Sequence, residues 1–475
     1  MNTALQSVRE LDPEACRRAR QARDPRFDGE FFVAVTSTGI YCRPVCPARL
    51  PAERNVRYFR LAAQAAQSGF RPCLRCRPET APGSPAWLGS SATVQRALRL
   101  IQGGALDDGG SVAGLAARLG IGPRYLLKLF RRELGVSPSD VVQHQRLLLA
   151  RHLIVESALP LTDIAFAAGF GSVRRFNSAV RASFGVAPGE MRRRRGTRSS
   201  GSTSSRGGGS DSGMALTLRY RPPYDWPGVL AFFARHAVAG LEAVEDGVYR
   251  RRLPEGGTLC VRDLPGAAAL RVSFDLPRPR PLQPLVSGLR RMFDLDANPE
   301  AVAGALGADP LLAPLLARFP GLRCPGHFGV WEAAVRAVVG QQISTRAAAR
   351  ICAGFSARCG DGFPPAAALA ALPDDAFPMP ARRRETLRGL AQRHAAEGDD
   401  GLAGDALAAL PGIGPWTCAM VDLRGRGLPD AFPATDLGVL QAWEKLGLSR
   451  RELTARAGHW SPFRGYAASL LWRSL

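Results

Sequence analysis

Lysine is almost missing from this chain: of 63 lysine and arginine residues in 475, only Lys128 and Lys445 are lysines. A mechanism that forms a lysine Schiff base therefore has two places to stand. Acidic residues are also short, 41 against those 63, which leaves a formal net charge of +22 and a sequence pI near 10.8. Such a surplus favours a polyanionic partner. The preference for arginine carries no message about recognition, since a GC-rich genome produces it as well. No apolar stretch is long enough to cross a bilayer. Residues 1–20 are polar, with Arg9, Arg17, Arg18 and Arg20 and no apolar core, so no secretory signal is expected. Ten cysteines in so long a chain do not make a disulfide framework, and in a reducing compartment clustered thiols favour metal. The expected setting is the cytoplasm, with no membrane partner.

What is present is local and specific. Cys42 and Cys46 form a Cys-x3-Cys pair, and Cys73 and Cys76 a Cys-x2-Cys pair. One tetrahedral metal ion needs that spacing, each pair closing a tight loop around it. The flanks read Phe31-Phe32-Val33-Ala34-Val35, Gly39-Ile40-Tyr41-Cys42-Arg43-Pro44 and Gly69-Phe70-Arg71-Pro72-Cys73-Leu74-Arg75-Cys76. Over roughly residues 10–80 this segment resembles the N-terminal domain of the Ada-type alkylation-response proteins. The resemblance implies Zn²⁺ on the four cysteines and a thiolate that accepts methyl from a methylated DNA phosphate. Cys42 matches the acceptor, with Cys46, Cys73 and Cys76 as spectator ligands; Thr38, Arg49 and Arg71 align with groups near the phosphate. The plainer alternative is a structural zinc knuckle, in which Cys42 is unreactive.

One linker stands out, from Arg192-Arg193-Arg194-Arg195 into the Gly/Ser run Ser199–Ser210. A shorter Pro/Gly break runs from Pro78 to Gly89. Between them lies an internal repeat with an offset of 49–50 residues. Leu115-Ala116-Ala117-Arg118-Leu119-Gly120 recurs as Ile164-Ala165-Phe166-Ala167-Ala168-Gly169, and Leu134-Gly135-Val136 as Phe184-Gly185-Val186. Each copy reads as helix, glycine turn, second helix, with Ala116 and Ala165 small enough for close packing. Helical periodicity over Val141–Glu156 joins the copies. A generic helical bundle satisfies the periodicity alone. Basic residues at the second helices, Arg124, Lys128, Arg131 and Arg132, then Arg174, Arg175 and Arg181, favour recognition helices. The second copy is similar to AraC-type activators, which implies two units reading adjacent major grooves.

From Met214 the pattern alternates, as in Leu216-Thr217-Leu218 and Leu270-Arg271-Val272, with a helix near Val229–Gly240. After about residue 323 it is nearly all helical. There Leu410-Pro411-Gly412-Ile413-Gly414-Pro415-Trp416-Thr417 reads as a helix-hairpin-helix, its glycines permitting a tight turn that offers backbone N–H groups to phosphate. Pro-Gly-x-Gly also ends ordinary helices. Its company is Phe432-Pro433-Ala434-Thr435-Asp436-Leu437-Gly438, Val338-Val339-Gly340-Gln341-Gln342, Trp460–Ala467 and Trp472. With the opening Tyr220-Arg221-Pro222-Pro223-Tyr224-Asp225-Trp226, these resemble the AlkA-type alkyladenine DNA glycosylases across residues 214–475.

An alkylated purine such as 3-methyladenine leaves as a neutral base, so one carboxylate suffices where ordinary glycosidases need two. The resemblance gives that role to Asp436, whose bland reading is a helix N-cap; both are compatible. It makes Trp416 and Trp472 walls of a base pocket, where core tryptophans are the default. Met420 stands where the family has a pocket tyrosine, and Gln342 where it inserts an apolar wedge. Trp416 occupies the position of the lyase lysine, so a monofunctional glycosylase is expected. Without a four-cysteine cluster after residue 418 no iron–sulfur centre is expected, and without Pro-Cys-His-Arg no O6-methylguanine reversal.

The expected fold class is multidomain and mostly α with α+β parts. A small zinc-binding α/β domain (1–85) precedes an all-α tandem helix-turn-helix domain (86–195) and a flexible basic linker (196–213). A mixed α/β subdomain (214–322) and a helix-hairpin-helix glycosylase domain (323–475) complete it. The expected function is bifunctional, a methyl-sensing activator joined to a base-excision enzyme for 3-methyladenine and 7-methylguanine. Its partners would be double-stranded DNA, both alkylated and promoter, and RNA polymerase; the chain would act as a monomer on the nucleoid. A pure DNA-binding regulator with an inactive glycosylase domain is the alternative reading.

Overall fold

A computed structural model describes residues 11–475 except 74, 77, 79–91, 108–109, 158, 197–213, 255, 278–280 and 361. The Gly/Ser run and nearly all of the Pro78–Gly89 break lie outside the described residues. The architecture is multidomain and mostly helical. It divides into two compact units, Met1–Arg221 with Gly266–Ser273 and Arg278–Ser287, and Pro222–Pro265 with Phe274–Pro277 and Gly288–Leu475.

The first unit opens with α1 (Pro13–Ala22), capped by Asp12 with Pro13 in its first turn. A four-stranded sheet follows in the order β3-β1-β2-β4: β1 (Phe32–Val35), β2 (Ile40–Cys42), β3 (Val56–Phe59) and β4 (Arg71–Pro72), with α2 (Ala62–Gln67) between the last two. All four residues of β1 are buried, because the sheet is covered on both faces. Phe31 and Val33 pack with Cys16 and Ala19 of α1, while Phe32 and Ala34 pack with Ala62 and Ala65 of α2. The β1–β2 turn closes at Gly39, φ +63°, where a side chain is disfavoured. Strand β2 pairs antiparallel with β1 and parallel with β4, which sets Tyr41 opposite Pro72 and so brings Cys42 beside Cys73.

Seven helices continue this unit: α3 (Ala92–Gln102), α4 (Val112–Arg118), α5 (Pro123–Leu134), α6 (Pro138–Glu156), α7 (Leu161–Ala167), α8 (Val173–Phe184) and α9 (Pro188–Gly196). The sequence repeat is a structural one, α4-turn-α5 and α7-turn-α8. Gly120 and Gly169 take φ of +71° and +82° in the turns, and Ala116 and Ala165 are fully buried. Helix α6 starts three residues before the periodic stretch at Val141, because Ser137 and Asp140 form a capping box around Pro138. Beyond α9, strand β5 (Met214–Arg219) is tied to α6 where Thr217 N donates to Glu156 Oε2 at 3.0 Å.

In the second unit, α10 (Trp226–His236) precedes an antiparallel sheet of β6 (Glu242–Glu245), β7 (Val248–Arg252) and β8 (Thr258–Leu264). The helices that carry the argument below are α11 (Val330–Val339), α12 (Thr345–Cys359), α13 (Ala381–Glu397), α14 (Pro415–Arg424), α15 (Leu437–Lys445) and α16 (Arg464–Ser474). A buried ionic network fastens α11 to the sheet. Arg251 of β7 pairs with Glu242 and Glu332, and Arg336, one turn after Glu332, pairs with both carboxylates. Tyr249 Oη donates to Glu242 Oε2 at 2.6 Å, so the acid is saturated. Removing one member of such a set typically costs about 3–5 kcal/mol, because the others are left charged and dry.

His236 ends α10 with Nδ1–H donating to Phe232 O at 2.8 Å, and burial pulls its pKa down to about 4. The unfolded chain, with histidine near 6.5, binds that proton first. Stability should therefore fall as pH drops from about 6.5 towards 4, by about 1.4 kcal/mol per pH unit for this residue. Urea midpoints at pH 7, 6 and 5 check the slope; His236→Asn, which keeps the donor to Phe232, should remove its share.

Candidate metal centre and DNA-processing site

The four sulfurs of Cys42, Cys46, Cys73 and Cys76 lie within 4.8 Å of one another. Zinc–sulfur bonds of about 2.3 Å in a tetrahedron separate the sulfurs by about 3.8 Å, so the cluster fits one zinc ion. Backbone donors around the cluster favour deprotonated sulfurs. Arg43 N donates to Cys76 Sγ at 3.3 Å, and Arg75 N to Cys73 Sγ at 3.4 Å. The Arg43 side chain, itself buried against Asp28, donates to Cys76 O at 3.1 Å and fixes that loop. Left to themselves the thiols cannot all ionise. Hydrogen bonding to Cys46 and Cys73, then burial, pushes the Cys42 thiol far up, while its bond to Cys42 pulls Cys46 down. A cation at the centre removes that conflict, and the zinc cofactor belongs to this fold. Cys42 is the least buried of the four.

Around Cys42 the expected phosphate-side groups are all exposed. Thr38 sits in the β1–β2 turn with Oγ1 donating to Val35 O at 3.4 Å, Arg49 follows the first cysteine pair, and Arg71 lies opposite Ile40 in β4. The Arg71 guanidinium also reaches α8: a Cβ added at Gly185 would stand 2.6 Å from its Nη1. Tyr41, fully buried next to Cys42, places its hydroxyl 3.2 Å from His144 Nε2 on α6. Burial pushes His144 down to about 4, so the imidazole there is neutral at physiological pH. On the helix-turn-helix copies, Arg124, Lys128, Arg131 and Arg132 of α5 and Arg174, Arg175 and Arg181 of α8 are exposed.

The carboxylate of Asp436 is gripped from three directions. Its Oδ2 accepts from Trp416 Nε1 at 3.0 Å, and its Oδ1 from Trp472 Nε1 at 2.8 Å and Val439 N at 3.1 Å. The N-cap of α15 is thus also the acceptor shared by two indole N–H groups. Trp416 opens α14 and Met420 follows one turn later on the same face, packed against the core. Both tryptophans donate to Asp436, a role that spacing in sequence does not reveal. Gly438 was also hidden: an added Cβ would lie 2.9 Å from Trp472 Cδ1 and 3.2 Å from Asp436 Oδ1.

The hairpin differs from expectation in one detail. Gly412 needs to be glycine, with φ +83° and a Cβ position 2.3 Å from Thr386 Oγ1 of α13. Gly414 caps α14 at φ −111°, a conformation open to any residue, with nothing within 4 Å of its Cβ position. Gln342 is exposed with φ +59°, held at the tip of the turn between α11 and α12. Its neighbour Gln341, not singled out from sequence, secures that turn: Nε2 donates to Gly412 O and Thr417 Oγ1, both at 3.1 Å. Among the described residues no helix is long and apolar enough to cross a membrane.

A four-cysteine zinc site, two helix-turn-helix units and a helix-hairpin-helix whose second helix donates to an oriented carboxylate together define a protein of the DNA alkylation response. Comparison with known proteins agrees along the whole length. The family described as “Metal binding domain of Ada” matches residues 15–79, “Helix-turn-helix domain” residues 115–194 and “AlkA N-terminal domain” residues 215–329. A Mycobacterium tuberculosis protein named “Probable bifunctional transcriptional activator/DNA repair enzyme AlkA” is 42% identical over 98% of this chain and 97% of its own. Escherichia coli “DNA-3-methyladenine glycosylase 2” is 34% identical over 54% of this chain and 96% of its own length. Escherichia coli “Bifunctional transcriptional activator/DNA repair enzyme Ada” is 35% identical over 30% of this chain and 39% of its own. The chain belongs to the family of bifunctional alkylation-response regulators that carry an AlkA-type DNA glycosylase.

Gly438→Ala should force Trp472 and Asp436 apart. DNA glycosylase activity is expected to fall at least about 10-fold, at a stability cost of about 1–3 kcal/mol from overpacking. Single-turnover rates and thermal melts on the same preparation test both.

Proposed function

We propose that Cys42 accepts a methyl group from a DNA methylphosphotriester, and that Asp436 drives hydrolytic release of alkylated purines such as 3-methyladenine and 7-methylguanine. The arrangement of Asp436 carries the enzymatic half: a single carboxylate, immobilised by two indole N–H groups and a backbone amide. An alkylated purine is already cationic. When its bond to C1′ breaks, the electron pair leaves with the base, which becomes neutral, and positive charge passes to the sugar. A fixed carboxylate stabilises that charge without reorganising. Water then adds at C1′ and gives up its proton, leaving an abasic site. The base must first be flipped out, at a cost of a few kcal/mol. Trp416, Trp472 and Met420 line the site proposed to receive it, while Gln342 fills the space it vacates. The exposed position of Gln342 on a left-handed turn supports that role. The hairpin at Gly412 and Gly414 holds the backbone phosphates. Trp416 in place of a lysine supports strand-preserving hydrolysis alone.

For the regulatory half, the Cys42 sulfur forms a bond to the methyl carbon while the carbon–oxygen bond of the triester breaks, returning an ordinary phosphodiester. Bound zinc keeps the four sulfurs deprotonated at neutral pH. Four thiolates around a divalent ion leave two surplus negative charges, and the methyl group removes one. Repulsion from the DNA backbone falls, and promoter binding by Arg124, Arg174, Arg175 and their neighbours strengthens. Thr38, Arg49 and Arg71 are proposed to meet the phosphate. Two helix-turn-helix copies in one chain supply the paired readers that dimers otherwise provide, which supports action as a monomer. RNA polymerase is the partner an activator of this kind must engage.

Asp436→Asn should lower excision of 3-methyladenine and 7-methylguanine by at least about 100-fold while duplex binding persists. Equal activity would remove the carboxylate from the mechanism. Separately, Cys42→Ala should abolish methyl uptake seen by mass spectrometry and the methylation-dependent gain in promoter affinity. A retained gain would show that Cys42 is only a zinc ligand.

A further inference from the structure

Arg424 ends α14, two turns after Trp416 and one after Met420, on the same helical stripe. It is 6% exposed, and no carboxylate pairs with it among the described residues. Its Nη1 donates to Pro325 O, its Nε has no partner, and its backbone oxygen accepts from His327 N at 2.7 Å. A guanidinium placed in the interior without a counter-ion is costly, so the site must use its charge or its plane. The rings around it use both. Its Cζ lies 4.8 Å from the centroid of Trp472 and 4.6 Å from that of Phe232, a cation over two aromatic rings. Burial draws its pKa down, against which Cys324 and then the Asp436 carboxylate pull it up. The charge of Asp436 is therefore felt at Arg424, with the indole that joins them in contact with both.

We propose that Arg424 is a positioning residue for base excision: by stacking on Trp472 it fixes the plane of that indole, so that Nε1–H is delivered to Asp436 Oδ1. The inference rests on the glycosylase reading given above. Trp472 is only partly buried: Gly438 lies close against its Cδ1 edge, and the Arg424 guanidinium lies over its ring. A planar fork stacks where an ammonium does not, so lysine is an incomplete replacement. Methionine keeps bulk and loses charge and plane together.

The test uses the full-length protein and its Arg424→Met, Arg424→Lys, Trp472→Phe and Arg424→Met/Trp472→Phe variants, with Asp436→Asn as control. Single-turnover excision of 7-methylguanine is read beside affinity for a duplex carrying an abasic-site analogue, and thermal melts report folding. Arg424→Met should slow excision roughly 10- to 100-fold, the cost of a small misplacement of a reacting group, while affinity stays within about threefold. Arg424→Lys should retain part of the loss-free rate. In the Trp472→Phe background, Arg424→Met should add less than about threefold, because the residue acts through the indole N–H. Full multiplication of the two single losses in the double variant would overturn the proposal, as would wild-type excision by Arg424→Met. If Arg424→Met melts, wild-type excision by a folded Arg424→Lys, or full multiplication of the two single losses in an Arg424→Lys/Trp472→Phe pair, overturns it equally. Wild-type excision by Trp472→Phe also refutes it, yet leaves the glycosylase reading intact so long as Asp436→Asn is inactive.

Discussion

Two indole N–H groups, one at the start of α14 and the other near the end of α16, meet on the carboxylate that caps α15. Three separate helices within residues 415–474 are thereby required to converge at one point. In the proposed excision step the carboxylate faces a developing positive charge without moving, and hydrogen bonds from rigid, partly buried rings are suited to that. A side chain reached only by water would have to reorganise as the glycosidic bond broke. Gly438 and Gly412 are the concessions the backbone makes: one lets an indole edge approach an acid, the other lets the hairpin lie against Thr386.

Charge is handled in opposite ways at the two sites. At Asp436 a single carboxylate is oriented by three neutral donors, and in the proposed excision step it faces the charge that develops on the sugar. In the cysteine cluster four potential anions are crowded within 4.8 Å, and only a divalent cation makes that arrangement tenable. The buried network of Arg251, Arg336, Glu242 and Glu332 is a third solution, mutual neutralisation, and it serves architecture alone. It holds the sheet to α11, whose end leads into the turn that presents Gln342.

Much of this was legible in sequence where the chemistry is local. Paired cysteines within five residues declare a metal site, and glycines at Gly120 and Gly169 declare turns, because both depend on chain neighbours. The carboxylate, the tryptophans and the hairpin were recognisable as a set through resemblance. What escaped was direction. Nothing in the order of residues says that both indoles donate to Asp436, that Gln341 rather than Gln342 binds the hairpin, or that Arg424 stacks on Trp472. Those facts depend on how distant helices are rotated when packed. Gly414 errs the other way: its motif position invites a conformational argument that its φ of −111° does not need.

The hydrogen bond between Tyr41 and His144 joins the strand that ends in Cys42 to the helix that runs from one DNA-reading copy to the next. Helix α6 sets the angular phase between α5 and α8, and so the stretch of double helix the pair can span. A fully buried phenol and a half-buried, neutral imidazole make a short and direct connection between strand and helix. The helix that fixes how the two helix-turn-helix copies are turned relative to each other is therefore joined directly to the strand that carries Cys42.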